Sequence, residues 1–247
     1  MSFFSAQPMN YVLTPRDWMH QAAFLFLVLS IVLVIIFRKK LRTWKYEKHF
    51  RYIITIIAIA AETTFRVWKH LTQEGTILTD NLPLHLCSIT LALCWVAMLF
   101  YKKWAFKLAY FYSIGAMISM FVADCGGFGI DHFRYYQYFY IHGYIVFTPI
   151  YFIAVHKYNI VFKDLIKAAL VLVAIFCVVM PIDYFLGANY MYLMHKPPVA
   201  SPLDLLGPWP GYIAAMTVIA ICAFIIFYFP WLFVNISKKR GNMAEID

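Results

Sequence analysis

The sequence predicts an all-α, polytopic membrane protein. It reads as one transmembrane domain over residues 1–247, with seven transmembrane helices, the N-terminus outside and the C-terminus in the cytoplasm. Three observations predict it. Of the 247 residues, 63% are hydrophobic and only 13% are charged, about half the ~25% of an ordinary soluble protein. Apolar segments recur along the whole chain, with lengths near the ~20 residues that cross the hydrocarbon core. Basic residues gather in alternate connectors, as they do in helices threaded back and forth through a bilayer.

The segments are 19–37, 52–68, 82–100, 104–124, 136–155, 165–186 and 211–234. The first follows a short polar N-terminus without the basic-then-apolar pattern of a cleaved signal, so it is expected to be retained. Asn81 and Pro83 open the third, and Pro208 and Pro210 precede the seventh, residues that favour helix starts. Arg38, Lys39, Lys40, Arg42, Lys45, Lys48 and Arg51 follow the first segment. Lys102, Lys103 and Lys107 follow the third, Lys157, Lys163 and Lys167 the fifth, and Lys238, Lys239 and Arg240 the seventh. The opposite side has only Arg16, Arg66, Lys69, Arg134 and Lys196. The richly basic side is assigned to the cytoplasm, and the chain to a cell membrane.

The net charge of +9 therefore sets orientation rather than marking a nucleic-acid footprint. Cys87, Cys94, Cys125, Cys177 and Cys222 form no CxxC pair, so no structural metal is expected, and no cofactor. Cys94, Cys177 and Cys222 read as small apolar residues. Cys87 and Cys125 both fall near the outer face, where a disulfide is one option.

Ionisable residues inside spans are costly and mark function by default. Measured along a helix, Cys87 falls about 7–8 Å below the outer end of its span, and Glu62 and His142 about 9 Å. Arg66, His85, Asp124 and Asp183 are shallower on the same side. The cytoplasmic halves carry almost nothing ionisable, so a cavity opening outward is expected. Each residue has two readings. Glu62 and Arg66, spaced i, i+4, either pair with each other or line the cavity. His142, beside Gly143, is a structural donor at a close helix contact or a base. Cys87 is packing or a nucleophile. His85 lies about 200° around a helix from Cys87, so both do not aim at one point.

The two outer connectors stand out. Residues 124–135 read DCGGFGIDHFRY. Residues 187–210 read GANYMYLMHKPPVASPLDLLGPWP, a long aromatic and proline-rich stretch carrying Asn189, Tyr190 and Lys196. Long ordered loops are functional more often than idle. This one is expected to be a lid over the cavity or a contact with lipid head groups.

Three stretches carry a resemblance: LPLHLC (82–87), FRYYQYFYIHG (133–143, with Arg134, Gln137 and Tyr138) and NYMYLMHKPP…SPLDLLGPWP (189–210). They resemble the YwaF family of bacterial integral membrane proteins, from the second span onward. The resemblance implies a bacterial plasma-membrane protein. A eukaryotic branch looks related: a membrane acyltransferase for ether phospholipids, thought to use an acylated cysteine and a histidine base. Cys87 and His142 fall at the matching places. Intramembrane threonine hydrolases of fatty-acid esters are more distant relatives, with a different nucleophile.

Three functions compete. The first is lipid acyl transfer or acyl hydrolysis at the outer leaflet through Cys87 and His142, with Glu62 or Tyr138 orienting the imidazole and Asn189 or a backbone N–H holding the oxyanion. The second is non-catalytic binding or transport of a lipid or small amphiphile. The third, a metal-dependent hydrolase using His85, His132, His142 or His195, lacks an HExxH pattern. The expected partners are membrane lipids, not nucleic acid; oligomeric state stays open.

Overall fold

In a computed structural model, the described residues are 3–6, 14–72, 77–123, 125–197 and 202–244. Among them every regular element is helical: α1 (Trp18–Thr43), α2 (Glu47–Thr72), the single turn α3 (Ile77–Asp80), α4 (Leu86–Phe100), α5 (Lys103–Phe121), α6 (Phe133–His156), α7 (Phe162–Leu186) and α8 (Gly211–Ala244), with two short 3₁₀ turns between α7 and α8. Seven of the eight helices are long. Four, α1, α6, α7 and the Gly211–Ser237 part of α8, are long and apolar enough to cross a membrane; α4 is apolar but shorter.

The basic stretch expected as a loop after the first span is mostly helix. Residues 38–43 extend α1 and residues 47–51 open α2, leaving a three-residue link, 44–46. Lys and Arg are good helix formers, and their long side chains carry charge away from an apolar helix end. The third segment is corrected in the other direction. Residues 82–85 are irregular, and α4 starts only at Leu86. Cys87 thus lies in the first turn of α4, and its depth counted from residue 82 along a helix does not apply. His85 precedes the helix, so the 200° separation does not apply either.

The chain divides into two compact units. The first comprises residues 1–77 and 81–158. Its axis is α6, of which 72% of the most apolar stretch is buried, against 17% for α1. Helices α1, α2, α4 and α5 surround it. Side-chain bonds fix their directions. Tyr135 Oη donates to the Met19 carbonyl at 2.7 Å, and Arg42 Nε to the Val155 carbonyl at 2.8 Å, so α1 runs parallel to α6. Helix α2 runs the other way, with Thr55 Oγ1 2.9 Å from Tyr144 Oη midway along it. The outer face of α1 exposes Leu25, Leu29 and Ile36, a row that water would not tolerate and lipid would.

Tyr101 and Lys157 end α4 and α6 in left-handed conformations, which close the last turn and turn the chain away. Residues 3–5 are pinned beside the start of α6. Phe133 N–H donates to the Phe3 carbonyl, Trp68 Nε1 to the Phe4 carbonyl, and His132 Nε2 to the Ser5 carbonyl, each near 3 Å.

The second unit comprises residues 78–80 and 159–247. Its helices α7 and α8 pack together and are apolar, with mean hydropathy 2.7 and 2.4 in their best stretches. Asp164 takes the Val161 N–H at 2.9 Å and closes the start of α7. Gly187, at φ 64°, closes its end, a conformation that costs glycine nothing.

Candidate functional site

The polar centre of the first unit is Glu62. One carboxylate oxygen lies 2.5 Å from Arg66 Nη2, and the other accepts from Gln137 Nε2 at 3.0 Å. The i, i+4 pair expected from the sequence therefore forms, and it also reaches across to α6. Arg134 donates to the Gln137 amide oxygen and lies 4.2 Å over the Phe65 ring. Arg66 further donates to the Asn81 carbonyl at 2.5 Å and to Ser88 Oγ at 3.1 Å. Asn81 returns a bond from its amide to the Arg66 carbonyl. Glu62 and Gln137 are buried, whereas the Arg66 side chain is 25% exposed. Asn81 Oδ1 is buried without a partner. The cluster thus has an open edge and a spare acceptor.

Next to it run four residues on three helices. Cys87 of α4 lies within hydrogen-bond reach of the Ser119 side chain on α5, and in electrostatic range of Glu62. Tyr138 of α6 donates its hydroxyl to the Ser119 carbonyl at 2.9 Å. His142, one turn on, lies with its ring 4.2 Å from that of Tyr138. Its Nδ1 is 2.8 Å from the Tyr138 carbonyl. A carbonyl only accepts, so Nδ1 carries the proton and Nε2 is the basic nitrogen. Cys87 and His142 both keep some accessible surface. The arrangement holds a thiol, a neutral imidazole of defined tautomer and a nearby ion pair around Ser119. Sequence reasoning missed Ser119 and Ser88, small polar residues in apolar surroundings that carry no pattern of their own, and read Asn81 only as a helix opener.

The other expected residues fall as follows. His85 is exposed at the start of α4. Asp124 lies outside the described residues. Cys87 and Cys125 are not joined, and none of the five cysteines forms a disulfide. The remaining residues belong to the second unit, where they organise the long connector. Asp183 is fully buried, with Oδ1 accepting the Tyr190 N–H at 3.0 Å. The Asn189 side chain takes the N–H groups of Met194 and His195 and gives its amide to the His195 carbonyl. The Tyr190 hydroxyl reaches the Leu78 carbonyl at 3.0 Å. Lys196 Nζ lies 5.6 Å over the Tyr212 ring. Asn189 thus spends its side chain on the backbone of its own loop, a turn-forming role in place of the expected oxyanion donor.

A second polar cluster, at the start of α2 and the ends of α4 and α6, was not foreseen from the sequence. Glu47 Oε1 accepts from Arg51 Nε at 2.8 Å, Tyr151 Oη at 2.7 Å and His156 Nε2 at 2.9 Å, and Oε2 accepts from Tyr101 Oη at 3.3 Å. Arg51 also donates to the Met98 carbonyl and lies 3.8 Å over the Tyr101 ring. Its side chain is 1% exposed. Burial pushes the Tyr101 hydroxyl up to about 12, so it stays a donor. The cluster went unseen because residues 47–51 read as a basic loop, when they are the first turns of α2.

The TMEM164 family model matches residues 12–228. The chain belongs to the TMEM164 family. Its match covers all of α1 to α7 and about half of α8, and with them Cys87, His142, Glu62 and the long connector. The TMEM164 family consists of membrane proteins, in keeping with the long apolar helices. No curated protein and no solved structure matches the chain.

Proposed function

We propose that this TMEM164 family member is a multi-pass cell-membrane enzyme that transfers or hydrolyses acyl groups of lipid esters, with Cys87 as nucleophile and His142 as base. The observation that carries the reading is the tautomer of His142. With Nδ1–H committed to the Tyr138 carbonyl, Nε2 is free to take a proton, and the ring rests on Tyr138, which is tied to the α5 residue that Cys87 meets.

The thiolate is the attacking form of a cysteine, and an imidazole within reach supplies it. In the proposed step the Cys87 proton passes to His142 Nε2 and sulfur bonds to the ester carbonyl carbon. The carbon–oxygen bond then breaks, and the leaving alkoxide takes the proton back. In the second half, His142 deprotonates an acceptor hydroxyl, or water for hydrolysis. That oxygen displaces sulfur, and the thiol is restored. Arg66 neutralises the Glu62 charge near Cys87. The open edge beside Arg66 and the spare Asn81 acceptor suit a polar head group. The alternative, an outward-facing lipid or amphiphile binder or transporter, uses the same cluster without the covalent step.

The test is transfer of a labelled long-chain acyl group from a phospholipid or thioester to a lysolipid by the purified protein. Cys87→Ala and His142→Ala are each expected to lower turnover by at least ~100-fold, the range for loss of a nucleophile or a general base, with unchanged folding. Wild-type turnover that persists in Cys87→Ala would remove Cys87 from the reaction. The proposed topology has seven spans and the head-group-facing connector outside. An impermeant maleimide is expected to label Leu205→Cys in intact cells and to miss Lys39→Cys; the reverse pattern refutes it.

A further inference from the structure

Helix α1 lies along α6 and scarcely touches α2, and the gap between α1 and α2 is a groove of about 1250 Å³ whose floor is α6. Its walls are almost wholly apolar, including Phe26 and Leu33 on α1 and Ile54 and Ile57 on α2. Small residues keep it open: Ser30, Ala61 and Gly143. On α1 it runs from Ala23 to Trp44, about 31 Å by the helical rise. One leaflet's share of a ~30 Å hydrocarbon core is about 15 Å. The half of the groove between Lys40 and Gly143 is long enough for one extended acyl chain.

The two ends differ. At the Phe133 end it is lined by Phe3 and Phe4. At the other it reaches Lys40, Leu41 and Trp44. Among the described residues Lys40 is the only charged one lining the groove, and it is exposed, as are the neighbouring Lys39 and Lys45. A tryptophan beside several ammonium groups is the chemistry of a membrane interface that attracts anionic head groups.

We infer that this groove holds one acyl chain of an anionic phospholipid, its phosphate beside Lys40 and its chain end toward Gly143. Charge complementarity at one end, and a chain-length apolar slot behind it, commit the occupant to a bilayer lipid with a net negative head group. The inference is independent of the acyl chemistry proposed for Cys87. It concerns a bound lipid that need not react.

The experiment uses the purified full-length chain in neutral detergent, offered phosphatidylglycerol or phosphatidylcholine with identical chains and a photoreactive group near the chain end. Bound lipid is counted by native mass spectrometry, and adducts are mapped by peptide. Phosphatidylglycerol is expected to be retained roughly tenfold over phosphatidylcholine, with adducts on α1, α2 and α6. Lys40→Glu, an exposed change, is expected to erase that preference. Ser30→Trp, which fills the slot from the α1 wall, is expected to lower retention of both lipids. Gly143→Trp fills it from the floor, and counts only if the variant elutes as a folded particle.

Equal retention of both lipids, adducts confined to other helices, or full retention in Ser30→Trp would each overturn the inference. So would Leu33→Cys forming a disulfide dimer in the bilayer, since a second copy would then cover the groove. Cys87→Ala is expected to retain lipid fully, so loss of acyl transfer without loss of bound lipid tests the function alone.

Discussion

Helix α2 carries the same pair of residues twice, Glu47 with Arg51 and Glu62 with Arg66, about four turns apart, and the two pairs have different surroundings. Both face α4 and α6. At the first, Glu47 accepts from four side chains and Arg51 is enclosed by a carbonyl and an aromatic ring. At the second, Glu62 has two side-chain partners, Arg66 is a quarter exposed, and an acceptor on Asn81 goes unused. A closed set of bonds fixes helix positions and leaves no group for a ligand. An open one leaves donors and acceptors for something that arrives. The comparison teaches that a buried charge in a membrane helix is a functional suspect only when its bonding is incomplete.

The largest expected effect separates the two pairs by stability. Arg51→Ala leaves Glu47 buried without its cation and is expected to cost about 3–5 kcal/mol. Arg66→Ala leaves Glu62 still bonded to Gln137 and near an exposed edge, and is expected to cost less, about 1–3 kcal/mol, the worth of a charged hydrogen bond. Thermal unfolding of both variants in one detergent checks the order. If Arg66→Ala proved the more destabilising, the second cluster would be the structural one. Activity is expected to invert the order, with Arg66→Ala reducing acyl transfer more than its loss of stability accounts for.

How much of this was legible in the sequence differs between the two ends of α2. Glu62 and Arg66 were visible because they interrupt an apolar segment, and their i, i+4 spacing named the pair. Gln137, Tyr138 and His142 were visible as polar residues in an aromatic helix. Glu47 and Arg51 have the same spacing, yet stood in a crowd of lysines and arginines that reads as a loop. Their partners Tyr101, Tyr151 and His156 are distant in sequence, and nothing local announces them. Ser119 was silent for another reason: a lone serine in an apolar helix is ordinary. Helix ends misled where irregular backbone, as at residues 82–85, is as apolar as the helix it precedes.

A smaller effect sharpens the comparison through pH. His132 stands at the start of α6, stacked on Phe128 at 4.0 Å, accepting the Arg134 N–H on Nδ1 and donating from Nε2 to Ser5. Burial, opposed by the Ser5 bond and reinforced by Arg134, holds its pKa below the usual 6.5. The unfolded chain therefore takes up a proton before the folded one does. The stability His132 contributes is complete above pH 6.5 and is lost as pH falls from there through its lower folded value. His132→Asn is expected to flatten that part of the pH–stability curve. An unchanged curve would place the acid sensitivity elsewhere.

The most direct test of the central claim, that the open cluster serves a covalent step at Cys87, is the intact mass of the protein after exposure to a long-chain acyl thioester or activated ester. The account predicts one added acyl group on wild-type protein, released by hydroxylamine and absent from Cys87→Ala. It also predicts slow formation of the adduct in His142→Ala and near-normal formation in Cys94→Ala. An adduct of the same mass and rate on Cys87→Ala would contradict it.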